Sequence, residues 1–276
     1  MNHLNNNAKK LAENLLSRFS IYEEFNILNI NTVFVAGSIF EGFGNSRSDI
    51  DIFIILNRID DQVLTSFVNQ NQDFSLFKRE HKRMLTITYR EVDYDIELHE
   101  VDAIQNYAEL VNRGQGSKYS PYYDFFHRLK FAQPLGGVEF FRKLKNSIDY
   151  NKYNLIVPLG VRMYYSIRVT DIQGAFEEGA YDTSLYMALS LLEDCISSYL
   201  SLFGETNPNK KWLIKKIHRL EKSNQLNISL SESMVISYNQ IDFSDELSLK
   251  AKTVIVLKEC QKINLECEKL IAQYTE

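Results

Sequence analysis

Residues 33–55 read VFVAGSIFEGFGNSRSDIDIFII and hold the features that decide the fold. Residues 33–36 are β-branched or aromatic apart from one alanine, a composition that predicts a strand. The strand ends at Gly37-Ser38, where a residue without a side chain lets phosphate oxygens approach the backbone closely. Ser38 begins a predicted helical turn, and the N–H groups at a helix start carry partial positive charge. The end of this first strand is therefore predicted to bind the phosphates of a nucleotide.

A second apolar run follows, with two aspartates at its start. Residues 49–55 read DIDIFII and predict another strand. The two-residue period of a strand puts Asp49 and Asp51 on one face and the isoleucines at even positions on the other. Two adjacent carboxylates repel each other, so one pKa would rise unless a cation lay between them. Mg²⁺ prefers carboxylate and phosphate oxygens, and it is the expected cation.

The spacing of these residues resembles the signature of a known superfamily. Written GS-x3-G-x5-SDID and running from Gly37 to Asp51, it is similar to the motif of the DNA polymerase beta-like nucleotidyltransferases. Residues 31–101 carry the resemblance. It implies a mixed α/β catalytic core and transfer of a nucleotide, and it says little about the acceptor.

The resemblance implies a role for each part of the motif. Asp49 and Asp51 would bind two Mg²⁺ ions that bridge the phosphate oxygens. Backbone and hydroxyl donors at the Gly-Ser turn would hold the departing pyrophosphate. The nucleotide-binding residues predicted within the motif are Gly37, Ser38, Gly42 and Ser48.

The family pattern requires a third carboxylate on a later strand, and residues 92–101 offer several. Alternation puts Asp93, Asp95 and Glu97 on one face of that strand. Glu97 is preferred as the third catalytic and metal-binding acid, because it and the residues after it resemble the third-acid strand of antibiotic nucleotidyltransferases of the aminoglycoside type. Asp95 is the alternative, and Asp93 is a further one. The solvated face of an edge strand would explain any one of these acids but explains all three poorly.

Composition is ordinary for a soluble globular protein. The chain has 276 residues, of which 45% are hydrophobic and 24% charged. It shows no apolar run long enough to cross a membrane, and residues 1–16 lack the apolar core of a signal peptide, so a cytoplasmic location is expected. The three cysteines lack metal-binding spacing and fall in helical patterns, which predicts buried core thiols.

The formal net charge of −5 weighs against a surface that tracks an extended nucleic acid, and it favours a small acceptor. Two basic clusters are nevertheless candidates for phosphate contact. Residues 78–83 read KREHKR, a pattern better explained as a solvated turn. Lys211 and Lys215 recur, with Arg219, at one-turn intervals on a predicted helix and are candidates for the β- and γ-phosphates, although a solvent-facing stripe explains them equally well.

The order of strand and helix signals predicts two domains. Residues 3–19 and 60–71 are predicted helices, and the predicted strands are 32–36, 50–56, 83–89 and 92–101. From about residue 140 the apolar spacing is helical. A turn cluster at residues 133–137, QPLGG, predicts the joint. The chain is therefore predicted to hold a mixed-sheet α/β catalytic domain at 1–130 and an all-α bundle at 138–276 that binds the acceptor.

Two further groups of residues are candidate ligand sites. Tyr119, Tyr122 and Phe125 lie near the predicted joint, where one ring could stack on a purine base, although core packing explains them better. Acids of the helical half could hold a cationic acceptor such as an aminoglycoside, although helix surfaces carry such acids routinely. These acids are Glu177, Glu178, Asp182, Glu193 and Asp194.

The predicted function is Mg²⁺-dependent transfer of a nucleoside monophosphate to a hydroxyl of a small acceptor, with release of pyrophosphate. ATP is the expected donor on abundance alone. The alternatives are modification of a protein or RNA, as toxin-like members of the superfamily perform, synthesis of a cyclic oligonucleotide, or a binding module without activity. The sequence leaves the general base open, and it leaves the oligomeric state open, with a homodimer among the arrangements.

Overall fold

The computed structural model describes residues 2–79 and 81–275, and the chain divides into two units between Asp149 and Tyr150. In the described residues the first unit holds all the strands, and the second is helical. The predicted fold class, a mixed-sheet α/β core followed by an all-α half, is confirmed. The strands are β1 (Ile30–Ala36), β2 (Ile50–Leu56), β3 (Ser75–Arg79), β4 (Lys82–Tyr89), β5 (Val92–Glu100) and β6 (Gln133–Gly136).

Helices precede, connect and follow these strands. In the first unit they are α1 (Asn2–Arg18), α2 (Ile21–Glu24), α3 (Ser38–Glu41), α4 (Asp61–Gln70), α5 (Val101–Asn112), α6 (Tyr122–Phe131) and α7 (Val138–Asn146). In the second they are α8 (Tyr150–Glu177), α9 (Tyr181–Leu202), α10 (Leu213–Lys222), α11 (Leu230–Tyr238) and α12 (Glu246–Thr275). Short 3₁₀ turns occupy Asn26–Leu28 and Lys210–Trp212.

The six described strands form one sheet in the order β3-β4-β5-β2-β1-β6. Only the central pair, β2 and β5, is parallel, and the other neighbours are antiparallel. A parallel pair needs a crossover connection, and here α4, β3 and β4 supply it. The crossover therefore brings the start of β2 next to the start of β5.

The two faces of the sheet have different partners. Ile50, Ile52 and Ile54 belong to a buried core that also contains Leu15 of α1 and Phe67 of α4. The burial of the three isoleucines in one core confirms the predicted alternation, because the residues between them face the other way.

On the opposite face, Phe34 and Phe53 stack with their ring centroids 5.0 Å apart. Phe125 of α6 packs on both rings, at 6.0 and 5.9 Å, and Phe141 of α7 lies 5.4 Å from Phe34. These aromatic contacts hold α6 and α7 over the face that carries the aspartates.

The predicted joint at residues 133–137 is wrong. Residues 133–136 form β6, an edge strand that pairs with β1, and the units divide between Asp149 and Tyr150 instead. The hydroxyl of Thr32 donates to the carbonyl of Gly136 at 2.7 Å. The sequence prediction failed here because Pro134 and two glycines are typical turn residues, but a proline is also tolerated on an edge strand. Strand β3 was also missing from the predicted elements, whereas the short helix α3 begins at Ser38 as predicted.

In the second unit α8, α9 and α12 pack around a common core. Cys195, Cys260 and Cys267 lie in that core as buried free thiols, as predicted. Among the helices in the described part of the chain, none combines the length and the hydrophobicity that a membrane crossing requires.

Among the glycines at the β6 edge, Gly137 is the one whose replacement should destabilise the protein most. Its φ is 62°, and a Cβ there would lie 2.0 Å from the Asn31 carbonyl oxygen. Gly137→Ala should therefore lower the free energy of unfolding by roughly 2–4 kcal/mol, through strain and collision together. Gly114→Ala is the matched control, because Gly114 has a φ of 73° but no atom within 4 Å of the added carbon. Chemical denaturation measures both, and equal losses would contradict the collision.

Candidate active site

Three aspartates converge at the start of β2 and β5. One carboxylate oxygen from each of Asp49, Asp51 and Asp95 lies within 4.8 Å of the others. Asp51 and Asp95 are direct partners across the parallel pair, so their side chains project side by side from the same face. Asp49 lies two residues before Asp51, at the end of the preceding loop. Within the described residues this is the one group of three or more acid, histidine or cysteine side chains close enough to share a metal ion.

The structure places Asp95, the alternative, in this cluster, and it leaves Glu97 outside it. The register explains the difference, because the partner of Glu97 on β2 is Phe53. Two residues along a strand correspond to about 6.6 Å. Asp93, the further alternative, accepts a hydrogen bond from Thr88 and is also outside the cluster.

Glu97 belongs to a buried cluster of its own. Its Oε1 lies 2.6 Å from Lys82 Nζ, and its Oε2 lies 3.0 Å from His99 Nε2. Burial opposes ionisation of Glu97, but hydrogen bonds and charges from His99 and Lys82 outweigh burial and lower its pKa to about 2. Both oxygens of Glu97 are thus taken, and the carboxylate joins β5 to the start of β4.

Within the cluster, the surroundings oppose the ionisation of Asp51 most strongly. It is 6% exposed, and burial, with smaller contributions from the charges of Asp49 and Glu97, raises its pKa to about 7 although Arg128 opposes the rise. Burial and the charges of Asp49 and Glu97 likewise raise the pKa of Asp95. A cation that binds all three carboxylates would offset this cost. Because the donors are all carboxylate oxygens, the set fits Mg²⁺.

Gly37 lies directly against Asp51. Ala36 is the cross-strand partner of Asp51, and Gly37 follows it with a φ of 86°. A Cβ on Gly37 would lie 1.9 Å from Asp51 Oδ2, so only glycine fits at this position. Ser38 comes next and begins α3. The structure therefore brings the Gly-Ser turn and the acid cluster together, as the motif implied.

The other two motif residues shape the loop that leads to the cluster. Gly42 ends α3 with a φ of 85°. The hydroxyl of Ser48 accepts a hydrogen bond from the Asn45 backbone N–H at 2.9 Å, which closes the turn just before Asp49. Direct nucleotide contacts from Gly42 and Ser48 stay predictions.

Arg128, on α6, is a site residue that the sequence analysis missed. Its Nη1 donates to Asp51 Oδ1 at 2.6 Å, and its Nε donates to Asp124 Oδ2 at 2.7 Å. Burial would lower the pKa of Arg128, but the carboxylates of Asp51, Asp124 and Glu97 raise it above its ordinary value. The spacing of Asp124 and Arg128 signals an ion pair along a helix. No sequence signal connects Arg128 with Asp51, which is 77 positions away.

The predicted basic turn at residues 78–83 has structural contacts. Lys78 and Arg83 both reach Asp61 of α4, at 3.4 and 2.7 Å. Lys82 is the member that extends to Glu97, and Glu80 lies outside the described residues. Lys82 is therefore the member of this segment that contacts β5 next to the aspartate cluster.

Two of the three aromatic candidates belong to the core, as the sequence analysis favoured, and the third is exposed. Tyr122 and Phe125 are buried, and Phe125 packs on Phe34 and Phe53. Tyr119 is 81% exposed. None of the three carries evidence of base stacking in the described structure.

Lys211 and Lys215 lie in the second unit, where their Nζ atoms are 5.0 and 4.6 Å from the centroid of the Trp212 ring. Their contact with phosphates stays a prediction. In the same unit Glu193 and Asp194 pair with Lys210, at 2.9 and 3.5 Å. A role of these acids in binding an acceptor also stays a prediction.

A polar groove opens beside the aspartate cluster. Its volume is ≈ 640 Å³, within the range of small-molecule sites. Its lining is dominated by carboxylates and hydroxyls, with one arginine. The polar residues that line it are Arg47, Asp49, Asp73, Ser75, Thr86, Thr88, Asp93 and Asp95.

Comparison with known proteins gives a likeness in structure but none in sequence. No protein-family model matches the chain, and no curated protein does. Among solved structures it is similar to a nucleotidyltransferase-like protein from Exiguobacterium sibiricum 255-15, with 10% sequence identity and a TM-score of 0.48. The match covers 90% of this chain and 73% of that one. A likeness of this degree decides neither the activity nor the acceptor.

Replacing Asp51 with asparagine should stabilise the metal-free protein at alkaline pH. The pKa of Asp51 is about 7 in the folded protein, above the ordinary value of 3.8. Protonated Asp51 therefore stabilises the fold fully below about pH 4, and this stabilisation is lost as the pH rises to about 7. The stability advantage of Asp51→Asn over the wild type should therefore grow by roughly 2 kcal/mol between pH 5 and pH 8.

Chemical denaturation in EDTA at several pH values measures this difference. Asp49→Asn is the companion variant, because it removes one of the charges that raise the pKa of Asp51, so its stability should fall less than that of the wild type between pH 5 and pH 8. An advantage of Asp51→Asn that does not vary with pH would contradict the assigned cost of ionising Asp51.

Proposed function

We propose that the chain is a Mg²⁺-dependent nucleotidyltransferase, which moves a nucleoside monophosphate from a nucleoside triphosphate to a hydroxyl of a small acceptor. The observation that carries the proposal is the convergence of Asp49, Asp51 and Asp95 beside the Gly37-Ser38 turn. The motif places the Gly-Ser turn close in sequence to Asp49 and Asp51, and Asp95 lies on a later strand. Their meeting in space supports a shared role in binding a metal and a triphosphate.

Asp49, Asp51 and Asp95 would hold the metal. When bound, Mg²⁺ would neutralise charge on the phosphate oxygens and lower the pKa of the acceptor hydroxyl. Gly37 leaves the backbone uncovered next to Asp51, so phosphate oxygens can approach it. The hydroxyl and backbone N–H of Ser38 would donate to the pyrophosphate portion. ATP is the proposed donor on abundance alone.

The reaction forms one bond and breaks another at the α-phosphorus. The acceptor oxygen bonds to the α-phosphorus, the bond to the bridging oxygen of pyrophosphate breaks, and the hydroxyl proton leaves. Glu97 is a poor candidate for accepting that proton, because its pKa is about 2 and both its oxygens are paired. Asp95 lines the groove and belongs to the cluster, so it is the better candidate.

The groove favours a small acceptor over an extended nucleic acid. Four aspartates line it against a single arginine, and such a surface repels a phosphate backbone. Hydroxyls of Ser75, Thr86 and Thr88 offer hydrogen bonds to a polar molecule. The formal net charge of −5 agrees with this preference.

A labelling experiment tests the proposed function. The full chain is incubated with Mg²⁺, each nucleoside triphosphate labelled at the α-phosphate, and a metabolite extract, and mass spectrometry follows. We expect pyrophosphate release and a small product heavier by one nucleotide, both absent with EDTA and with Asp51→Asn. Label on protein or RNA would favour a macromolecular acceptor, and product from nucleotides alone would favour a cyclic-oligonucleotide synthase. Absence of transfer under every condition would overturn the proposal.

Asp95→Asn and Glu97→Gln should have different consequences. Asp95→Asn removes a proposed metal ligand, so turnover should fall by about a hundredfold or more while the protein stays folded. Glu97→Gln weakens the contacts with Lys82 and His99, so it should lower thermal stability and retain a larger share of turnover. Steady-state kinetics at saturating Mg²⁺, with melting temperatures, separates the two. If Glu97→Gln were inactive and Asp95→Asn nearly normal, Glu97 and not Asp95 would be the third acid of the site.

A further inference from the structure

The contact between Arg128 and Asp51 bears directly on how a cation enters the cluster. The guanidinium lies between two carboxylates, with Nη1 on Asp51 Oδ1 and Nε on Asp124 Oδ2. Its carbon also lies 5.8 Å from the centroid of the Phe53 ring. The Arg128 side chain is only 26% exposed. The guanidinium is thus held on three sides by groups of the first unit.

Both oxygens of Asp51 have close neighbours. Arg128 occupies Oδ1, and the backbone of Gly37 approaches Oδ2 so closely that a Cβ there would lie 1.9 Å away. A metal that uses Oδ1 of Asp51, or both of its oxygens, must therefore share or displace the guanidinium. Charge acts in the same direction, since the three carboxylates carry −3 when all are ionised and Arg128 reduces this to −2. Arg128 accordingly opposes the binding of a divalent cation in two ways.

A nucleotide triphosphate would supply another partner for the guanidinium. Arginine binds phosphate oxygens with the same paired geometry that it uses for carboxylates. If Arg128 turns from Asp51 to a phosphate, Asp51 Oδ1 becomes free for the metal. Metal and nucleotide would then each increase the affinity for the other, by the same factor.

We propose that Arg128 is a positioning residue that couples metal binding to nucleotide binding: it holds Asp51 in the free protein and releases it when phosphate oxygens replace the carboxylate. This inference rests on the proposed function, because it takes Asp51 as a metal ligand. It adds a residue that belongs to neither the Gly-Ser turn nor the aspartate cluster. It also assigns the order of events at the site, in which a metal without nucleotide binds weakly.

Metal affinity without turnover tests the coupling. Mn²⁺ binding to the full-length protein is measured by electron paramagnetic resonance, with and without an ATP analogue whose α–β bridge is a methylene. The binding of Mn²⁺ to the analogue itself is measured in the same buffer and subtracted. For Arg128→Gln we expect the Kd of Mn²⁺ alone to fall by about tenfold. The analogue should also raise Mn²⁺ affinity by a larger factor in the wild type than in this variant. The two factors should differ at least about fivefold.

Two further variants serve as controls. Arg113→Gln removes the same charge from an exposed arginine that pairs with Glu109, and it should leave both quantities unchanged. Arg128→Lys keeps the charge but loses the planar fork, so its Mn²⁺ affinity should lie nearer to that of the wild type. Circular dichroism establishes that each variant is folded.

A measurement on the wild type keeps the test decisive if Arg128→Gln does not fold. The Nε–H signal of Arg128 is assigned in ¹⁵N spectra as the arginine signal missing from Arg128→Lys. We expect this signal to shift as Mg²⁺ and the analogue saturate the site together. A signal that stays unchanged through saturation would overturn the inference.

The two proposals fail differently. Unchanged or weaker Mn²⁺ affinity in Arg128→Gln, with transfer activity intact in the wild type, would overturn the role of Arg128 alone. Absence of Mn²⁺ binding in every variant, with and without the analogue, would overturn the metal site and the coupling together.

Discussion

The parallel pairing of β2 and β5 is the constraint on which the rest of the site depends. It places Asp51 beside Asp95, and the alternation of each strand keeps both on the same face. A shift of one residue would turn one carboxylate into the apolar core, and a shift of two would bring Glu97 beside Asp51. The buried isoleucines on the opposite face resist the first of these shifts, because it would remove them from the core that they share with α1 and α4. Packing on one face of the sheet thus determines the chemistry available on the other.

This arrangement has an electrostatic cost, which the aromatic layer helps to offset. The carboxylate of Asp51 is buried beside two others, and its raised pKa reports that cost. Phe125 packs α6 against Phe34 and Phe53, and Arg128 lies three residues further along the same helix. The hydrophobic contacts of α6 therefore position the cation that stabilises Asp51. Apolar packing and the ionic contact support each other in this part of the sheet.

Asp95 and Glu97 show how far the environment can separate the pKa values of two acids on one strand face. Burial and neighbouring negative charges raise the pKa of Asp95, whereas Lys82 and His99 hold the pKa of Glu97 at about 2. One acid thus remains free to meet a cation, and the other is neutralised within the protein. Their spacing of two residues offers no hint of this difference. It arises from the side chains that β4 and the end of β5 bring to Glu97.

The sequence by itself determined the α/β order, the faces of β2 and β5, and the nearness of Gly37 to the first two aspartates, because these follow from strand periodicity and from short spacings. Only the tertiary structure decided that Asp95 completes the cluster, that residues 133–136 form an edge strand, and that Arg128 reaches Asp51. The physical reason is the same in each case. A period of two specifies the face of a strand but not its register, and a contact between segments 77 positions apart exists only after the helices have packed on the sheet.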